Sequence, residues 1–203
     1  MLTGINKSVH CLSCHFNCEL GNLDSVKKLN CIDSKYGVWP ESNFYLVLGI
    51  DTLLTRPGCS HIHRGFIFVD FSWYHIRRFT NGLWLEHLTK TGLKLILVAD
   101  KSTEALASYW YSVSVDIAMV IYVAEGKSVI EQKIERIICG RIIREPRRKK
   151  FSELEIMVLR LFLDGCTVKQ IAAVLNLKLK RVYNIKCILQ NKIGGRLNTI
   201  ISG

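Results

Sequence analysis

Gly165–Ile193 reads GCTVKQIAAVLNLKLKRVYNIKCILQNKI, the pattern of a helix, a tight turn and a second helix. On the second helix Val182, Ile185 and Leu189 recur at three- and four-residue steps and draw one apolar stripe. At about 100° per residue, Lys180, Asn184, Cys187 and Asn191 fall roughly opposite that stripe, with Arg181 and Lys186 on its flanks. A face to bury, backed by a face carrying cations and amides, is what a helix laid into the major groove of DNA requires. The same pattern also describes an amphipathic helix with a solvated basic face, so the surrounding sequence decides between the two.

Charge is the first discriminator. The 203 residues carry a formal net charge of +11. Residues 1–140 hold 14 Lys and Arg against 13 Asp and Glu, whereas residues 141–203 hold 14 against 4. Nearly all of the excess therefore sits in the last third, beside the candidate helix, and points to a polyanionic partner there, double-stranded DNA. Apolar residues make up 49% and charged residues 22%, a composition able to bury cores. No apolar run approaches the roughly 18 residues of a membrane span, and the N-terminus lacks a secretory pattern. The expected location is the cytoplasm, at the nucleoid of a bacterial cell, with no membrane partner and with the eight cysteines as thiols.

Upstream of the helix pair, Ser152-x-x-Glu155 opens an apolar helical run as a capping box, and Gly165 stops it in a left-handed conformation. Thr167-x-x-Gln170 is a second capping box, and Asn176 can end that helix. Residues 151–203 thus read as a compact all-α helix-turn-helix unit. Residues 144–150 are a basic linker in which Pro146 breaks any helix and Arg147, Arg148, Lys149 and Lys150 are available to phosphates.

Residues 35–143 alternate helical stretches with short runs lacking period-two polarity: Gly65–Phe71, Leu93–Ala99 and Asp116–Ala124. Such runs are strands buried on both faces, so this is an α/β domain on a parallel sheet. The sequence predicts one helix over WYHIRRFTNGLWLEHLTKT, an N-cap at Ser102 or Thr103, and a capping box from Ser128 to Glu131 closed by Gly140. In its order of elements the domain resembles the receiver domain of response regulators. That resemblance makes Asp70, at the end of a strand, the candidate phosphoacceptor. A receiver also needs an acidic pair for Mg²⁺ and a Lys ending its last strand, and neither stands at the matching positions. The expectation is a degenerate receiver-like domain in which Asp70 caps the following helix and is not phosphorylated.

Residues 1–34 have no assigned structure. Cys11-x-x-Cys14, with Cys18, is a weak candidate for part of a zinc site, and the spacing completes no known pattern. Cys59, His61 and His63 cluster in a Pro- and Gly-bearing loop. No phosphate-cradling loop or nucleophile–base pair is visible, so no enzymatic activity, catalytic residue or cofactor is expected.

The segment from Phe151 to Gly194 resembles the LuxR-type helix-turn-helix of transcriptional regulators. Phe151, Ser152, Glu155, Val158, Leu159, Gly165, Lys169, Ile171, Ala172, Leu175, Val182, Lys192 and Gly194 fit its pattern. Lys178 stands where relatives carry a capping Ser, and Ile185 where they carry His. KSTEALASYWYS and the GRIIRE turn, within the whole order of elements, look like the fimbrial regulators of the EcpR/MatA type. This resemblance implies a transcriptional regulator of fimbrial or other surface-structure genes, acting as a homodimer or as a heterodimer with a response regulator. The alternatives are a phosphorylation-controlled response regulator and a protein-binding adaptor that partners one. In the DNA-binding reading Lys180 and Asn184 reach base edges. Thr167, Lys169, Arg181, Lys186 and Lys192 hold phosphates.

Overall fold

The computed structural model describes residues 9–13, 18–20, 35–54, 65–141 and 149–195. Four apolar runs build one parallel sheet: β1 (Tyr36–Trp39), β2 (Phe66–Phe71), β3 (Lys94–Ala99) and β4 (Ile117–Tyr122), side by side in sequence order. The register sets Trp39 beside Val69, Val69 beside Leu97, and Leu97 beside Val120. The last three strands fall inside the runs that the sequence marks. β1 escapes the sequence reading because YGVW is only four residues long and runs directly into Pro40.

Alternation along each strand sends side chains to two apolar layers. Phe66, Phe68, Ile96, Met119 and Ile121 face α1 (Phe44–Leu54) and α4 (Lys127–Ile138). Ile67, Val69, Phe71, Leu95, Leu97 and Val120 face the opposite layer. That layer holds a 3₁₀ segment (Trp73–Thr80), α2 (Leu83–Thr89) and α3 (Glu104–Val113). A parallel sheet covered by helices on both faces is receiver-like, as the sequence implies. Doubly wound receivers reverse their strand order and open a ligand crevice at the reversal. Among the described residues this sheet runs in sequence order without one.

Two local expectations are corrected and a third is refined. The single helix expected from Trp73 onward is two elements, because Asn81 is extended and its side chain accepts the amide of Leu83 at 3.0 Å. The capping box at Ser128 does not form. Gly126 adopts φ +79°, a conformation favouring glycine, and starts α4 at Lys127, which leaves Ser128 inside the first turn. Thr103 is the N-cap residue of α3, one of the two positions expected, but its hydroxyl donates to the carbonyl of Phe71 at 2.6 Å and makes no bond into the helix, while the carboxylate of Asp100 accepts the amides of Ser102 and Thr103. Gly140 does take the left-handed conformation expected of it, at φ +71°.

The C-terminal part has three helices, α5 (Glu153–Leu163), α6 (Val168–Val174) and α7 (Leu179–Ile193). It packs onto the 3₁₀ segment and α3, and the two parts share one apolar core. Phe151, 2% exposed, inserts there while its amide donates to the carbonyl of Ala105 at 3.1 Å. Lys150 donates to the hydroxyl of Ser112 at 3.2 Å. Burial, reinforced by the charge of Glu153, holds the phenol of Tyr109 above its ordinary pKa, which marks where α5 approaches α3. Of the basic linker only Lys149 and Lys150 are described; Arg147 and Arg148 lie outside the described residues.

Candidate nucleic-acid interface

The C-terminal helices are set by local rules that the sequence displays. Ser152 accepts the amide of Glu155 at 3.3 Å, and the Glu155 carboxylate accepts the amide of Ser152 at 2.8 Å, closing a capping box. Thr167 and Gln170 do the same at α6, at 3.3 and 2.8 Å. Gly165 at φ +84° and Asn176 at φ +50° make the two turns in the left-handed conformation. Asn176 can do so because its short polar side chain tolerates that region better than a branched one would.

α7 spans the residues that the sequence assigns to it and buries Val182, Ile185, Leu189 and Ile193. The unit's interior is completed by Leu159, Phe162 and Ile171, so the outward direction of α7 is fixed by packing. On the outward side Lys180, Arg181, Asn184, Cys187 and Asn191 are exposed, and Lys169 and Thr167 on α6 are exposed as well. Residues 165–195 contain six Lys and Arg and no Asp or Glu. The surface is therefore cationic with no internal counter-charge from α6 or α7. Lys178 caps α7 with an extended backbone and no side-chain bond, since an ammonium has no acceptor to offer. The first amides of this helix consequently lack a side-chain partner.

Two of the sequence-assigned phosphate contacts are less exposed than the others. Lys186 is half-buried, with its ammonium 5.7 Å from the centre of the Phe162 ring. Lys192 is turned inward. Its ammonium donates to both oxygens of Glu155, at 2.9 and 2.7 Å, and to the carbonyl of Lys150 at 2.8 Å, above the Phe151 ring. These bonds use the donors a phosphate would need, so Lys192 fastens the end of α7 to the start of α5. The sequence reading assigns it to DNA because a Lys near a helix end is cationic, and its partner lies 37 residues away.

Asp70 lies far from this surface in character as well as in sequence. It is 4% exposed at the carboxyl end of β2. Its oxygens accept Asn43 Nδ2 at 3.0 Å and the Ser72 amide at 3.2 Å, and His75 Nε2 lies 3.5 Å away. Burial alone would raise its pKa, but the hydrogen bonds from His75, Asn43 and Ser72 outweigh burial and leave it below the ordinary carboxylate range. Asp100 is likewise engaged, accepting the amide of Trp73 at 2.7 Å.

The cysteine candidates are only partly placed. Cys11 is buried, and its amide donates to the carbonyl of Cys18 at 2.7 Å, while its thiol donates to Ser13 at 3.3 Å. Cys14, and the cluster of Cys59, His61 and His63, lie outside the described residues. Among the described residues no group of three or more His, Cys, Asp or Glu gathers in metal-binding geometry. Among the same residues no helix is long and apolar enough to cross a membrane.

Comparison with known proteins finds the following similarities. A relative from Escherichia coli strain K12, the uncharacterized protein YqeH, is 29% identical over 195 residues, covering 96% of this chain and 92% of that protein. Among solved structures, the two-component response regulator RcsB in complex with DNA has 18% identity and a TM-score of 0.39, over 76% of this chain and 81% of that one. The RcsB response regulator of Salmonella typhimurium has 18% identity and a TM-score of 0.29, over 78% and 83% of the two chains. The model of the EcpR N-terminal domain family matches residues 10–138, well over half of the sequence, and the chain belongs to that family.

Proposed function

We propose that the chain is a sequence-specific DNA-binding transcriptional regulator that reads the major groove with α7. The observation that carries this reading is the outward face of α7, cationic and amide-bearing, on a helix fixed by a buried stripe on the other side. Lys180 and Asn184 contact base edges, the first suited to guanine O6 and N7, the second to adenine N6 and N7. Arg181, Lys169 and Lys186 contact phosphates, joined by Thr167 at the start of α6. Lys192 acts by holding α7 against α5. The chain's targets are fimbrial or other surface-structure genes, as the resemblance to regulators of the EcpR/MatA type implies. The α/β domain works without phosphorylation, since a buried Asp70 with its oxygens hydrogen-bonded offers no open carboxylate to a phosphodonor.

The test compares two variants on cognate and random duplexes. Asn184→Ala should narrow the ratio of the two affinities by an amount worth about 1–3 kcal/mol. Arg181→Ala should weaken both alike. An unchanged ratio in Asn184→Ala would remove α7 from the reading role.

A second observation favours a protein partner in addition to DNA. Phe44, Tyr45 and Leu48 on α1 are 69%, 84% and 51% exposed, beside a cleft of about 510 Å³ shared with Ile130 of α4. A response regulator bound there as a heterodimer partner would raise the mass of the DNA complex in sedimentation. No change on adding one would remove this reading.

A further inference from the structure

Residues 9–13 and 18–20 run antiparallel, bridged at His10 and Glu19. Leu20 donates its amide to the carbonyl of Val9 at 2.6 Å, and Cys11 donates its amide to the carbonyl of Cys18 at 2.7 Å. These bonds flank the bridge, so Cys11 stands directly opposite Cys18 in a hydrogen-bonded pair. Directly opposed side chains of an antiparallel pair share one face. Packing agrees: Val9, Cys11, Cys18 and Leu20 all meet the core that holds α2 and α3, whereas Leu12 packs with the layer of α1 and α4. The ladder is seated on β1, the edge strand of the sheet. The Leu12 amide donates to the Tyr36 carbonyl at 2.8 Å, and the Tyr36 amide donates to the Ser13 hydroxyl at 3.1 Å. Gly37 permits this close approach, since a Cβ there would come within 2.7 Å of the His10 carbonyl oxygen.

Hydrogen-bonded partners across such a ladder have Cα atoms about 5.5 Å apart, inside the roughly 4.4–6.8 Å that a disulfide spans. Both residues are free thiols, Cys11 buried and Cys18 half-buried. A buried cysteine by itself is inert packing, but here a more open thiol lies opposite it. The Cys11 thiol donates to the Ser13 hydroxyl at 3.3 Å, a weak bond that sulfur gives up readily. We infer that Cys11 and Cys18 are a modification site, a thiol pair that hydrogen peroxide converts reversibly to a disulfide across the ladder. Cys18 is the thiol open to the oxidant. Its sulfur, as thiolate, attacks one peroxide oxygen and the O–O bond breaks. The departing hydroxide takes up a proton and leaves as water, and Cys18 becomes a sulfenic acid. The Cys11 sulfur then attacks the Cys18 sulfur, the S–O bond breaks, and the second oxygen leaves as water with the Cys11 proton. Two thiols and one peroxide thus give one disulfide and two waters. A thiol reductant reverses the reaction, as befits a transient disulfide in a reducing compartment. The inference stands apart from the DNA-binding reading.

The experiment treats the reduced full chain with equimolar hydrogen peroxide, alkylates the remaining thiols and digests the product for mass spectrometry. Cleavage after Leu12 and Phe16 separates Cys11, Cys14 and Cys18, so each pairing gives its own linked peptide. The peptides of Cys11 and Cys18 should be joined with the loss of two hydrogens, and dithiothreitol should part them. Cys14→Ser should form the same link. Hydrogen exchange at the Cys11 and Leu20 amides should slow about tenfold or more on oxidation, because the cross-link closes the ladder. In Cys18→Ser peroxide should leave both the Cys11 thiol and the exchange rates unchanged. A link from Cys11 or Cys18 to any other cysteine in place of this pair overturns the inference. So does oxidation of Cys18 to a sulfinic acid with Cys11 unlinked, or recovery of both residues as thiols. A Cys11–Cys18 link that leaves those amides exchanging as before also overturns it, since the ladder would then not be where the bond forms.

Discussion

At the scale of single residues, Lys178 and Asp70 show opposite relations between charge and structure. Lys178 occupies a position where an acceptor would close the first turn of α7, and it supplies none. Lys178→Ser should therefore raise stability by about 1 kcal/mol in urea unfolding, while weakening binding to random DNA slightly through the lower positive charge of the surface. A variant that is both less stable and tighter-binding would contradict this account of the helix start. Asp70 has its charge held by three donors, and its pKa lies below the ordinary value near 3.9. A carboxylate depressed in the folded state stabilises above its unfolded pKa, and this contribution fades as pH falls through that value toward the folded one. Unfolding followed from pH 6 to about pH 2 should show this acid limb, shallower in Asp70→Asn. The sequence shows Asp70 at a strand end and suggests that it caps the next helix, but the first amide of the 3₁₀ segment, that of Trp73, goes to Asp100 instead, and Asp70 takes the Ser72 amide before it. The sequence does not show Asn43 and His75 converging on Asp70, because those contacts are made between elements.

At the scale of elements, the C-terminal helices were the most legible part and the four-residue β1 the least. Capping boxes, left-handed turn residues and an apolar stripe act within about a turn of chain, so Ser152, Gly165, Thr167 and Asn176 could be assigned from spacing alone. The box at Ser128 has equally good spacing, yet Gly126 starts the helix sooner and takes the capping role away. The tie between α5 and α7 was invisible for another reason. Glu155 serves its own helix start and also receives Lys192, whose side chain is 19% exposed against 10% for Glu155. Removing the Lys leaves a nearly buried carboxylate without its cation. Lys192→Ala should cost about 2–4 kcal/mol in denaturant unfolding. If Lys192 were instead a phosphate contact, the variant would unfold normally and its salt slope on DNA would fall by about one.

At the scale of the whole molecule, the α/β part and the C-terminal helices share an apolar core through Phe151, and the outward face of α7 stays exposed in that arrangement. Two consequences follow from one packing. Heat should unfold the chain in a single transition, and Phe151→Ala should lower its stability by about 3–5 kcal/mol. Two separate calorimetric transitions in the wild type would show that the parts are independent. The second consequence is that the outward face of α7 is open to a partner without a release step. The sequence divides charge sharply at about residue 141, which made a basic C-terminal unit legible. It is silent on how that unit sits on the sheet, since the joining contacts are apolar and distant along the chain.

The central claim is that α7 binds DNA by sequence. The most direct measurement is the affinity of the purified chain for the DNA upstream of its own gene and for random DNA of equal length, across a salt series. The account predicts tighter binding to the upstream fragment. With Lys169, Arg181 and Lys186 at phosphates, log K should fall against log salt with a slope of about −3 per chain. Equal, weak binding to both DNAs at every salt concentration would contradict it and leave α7 as a basic surface without a reading role.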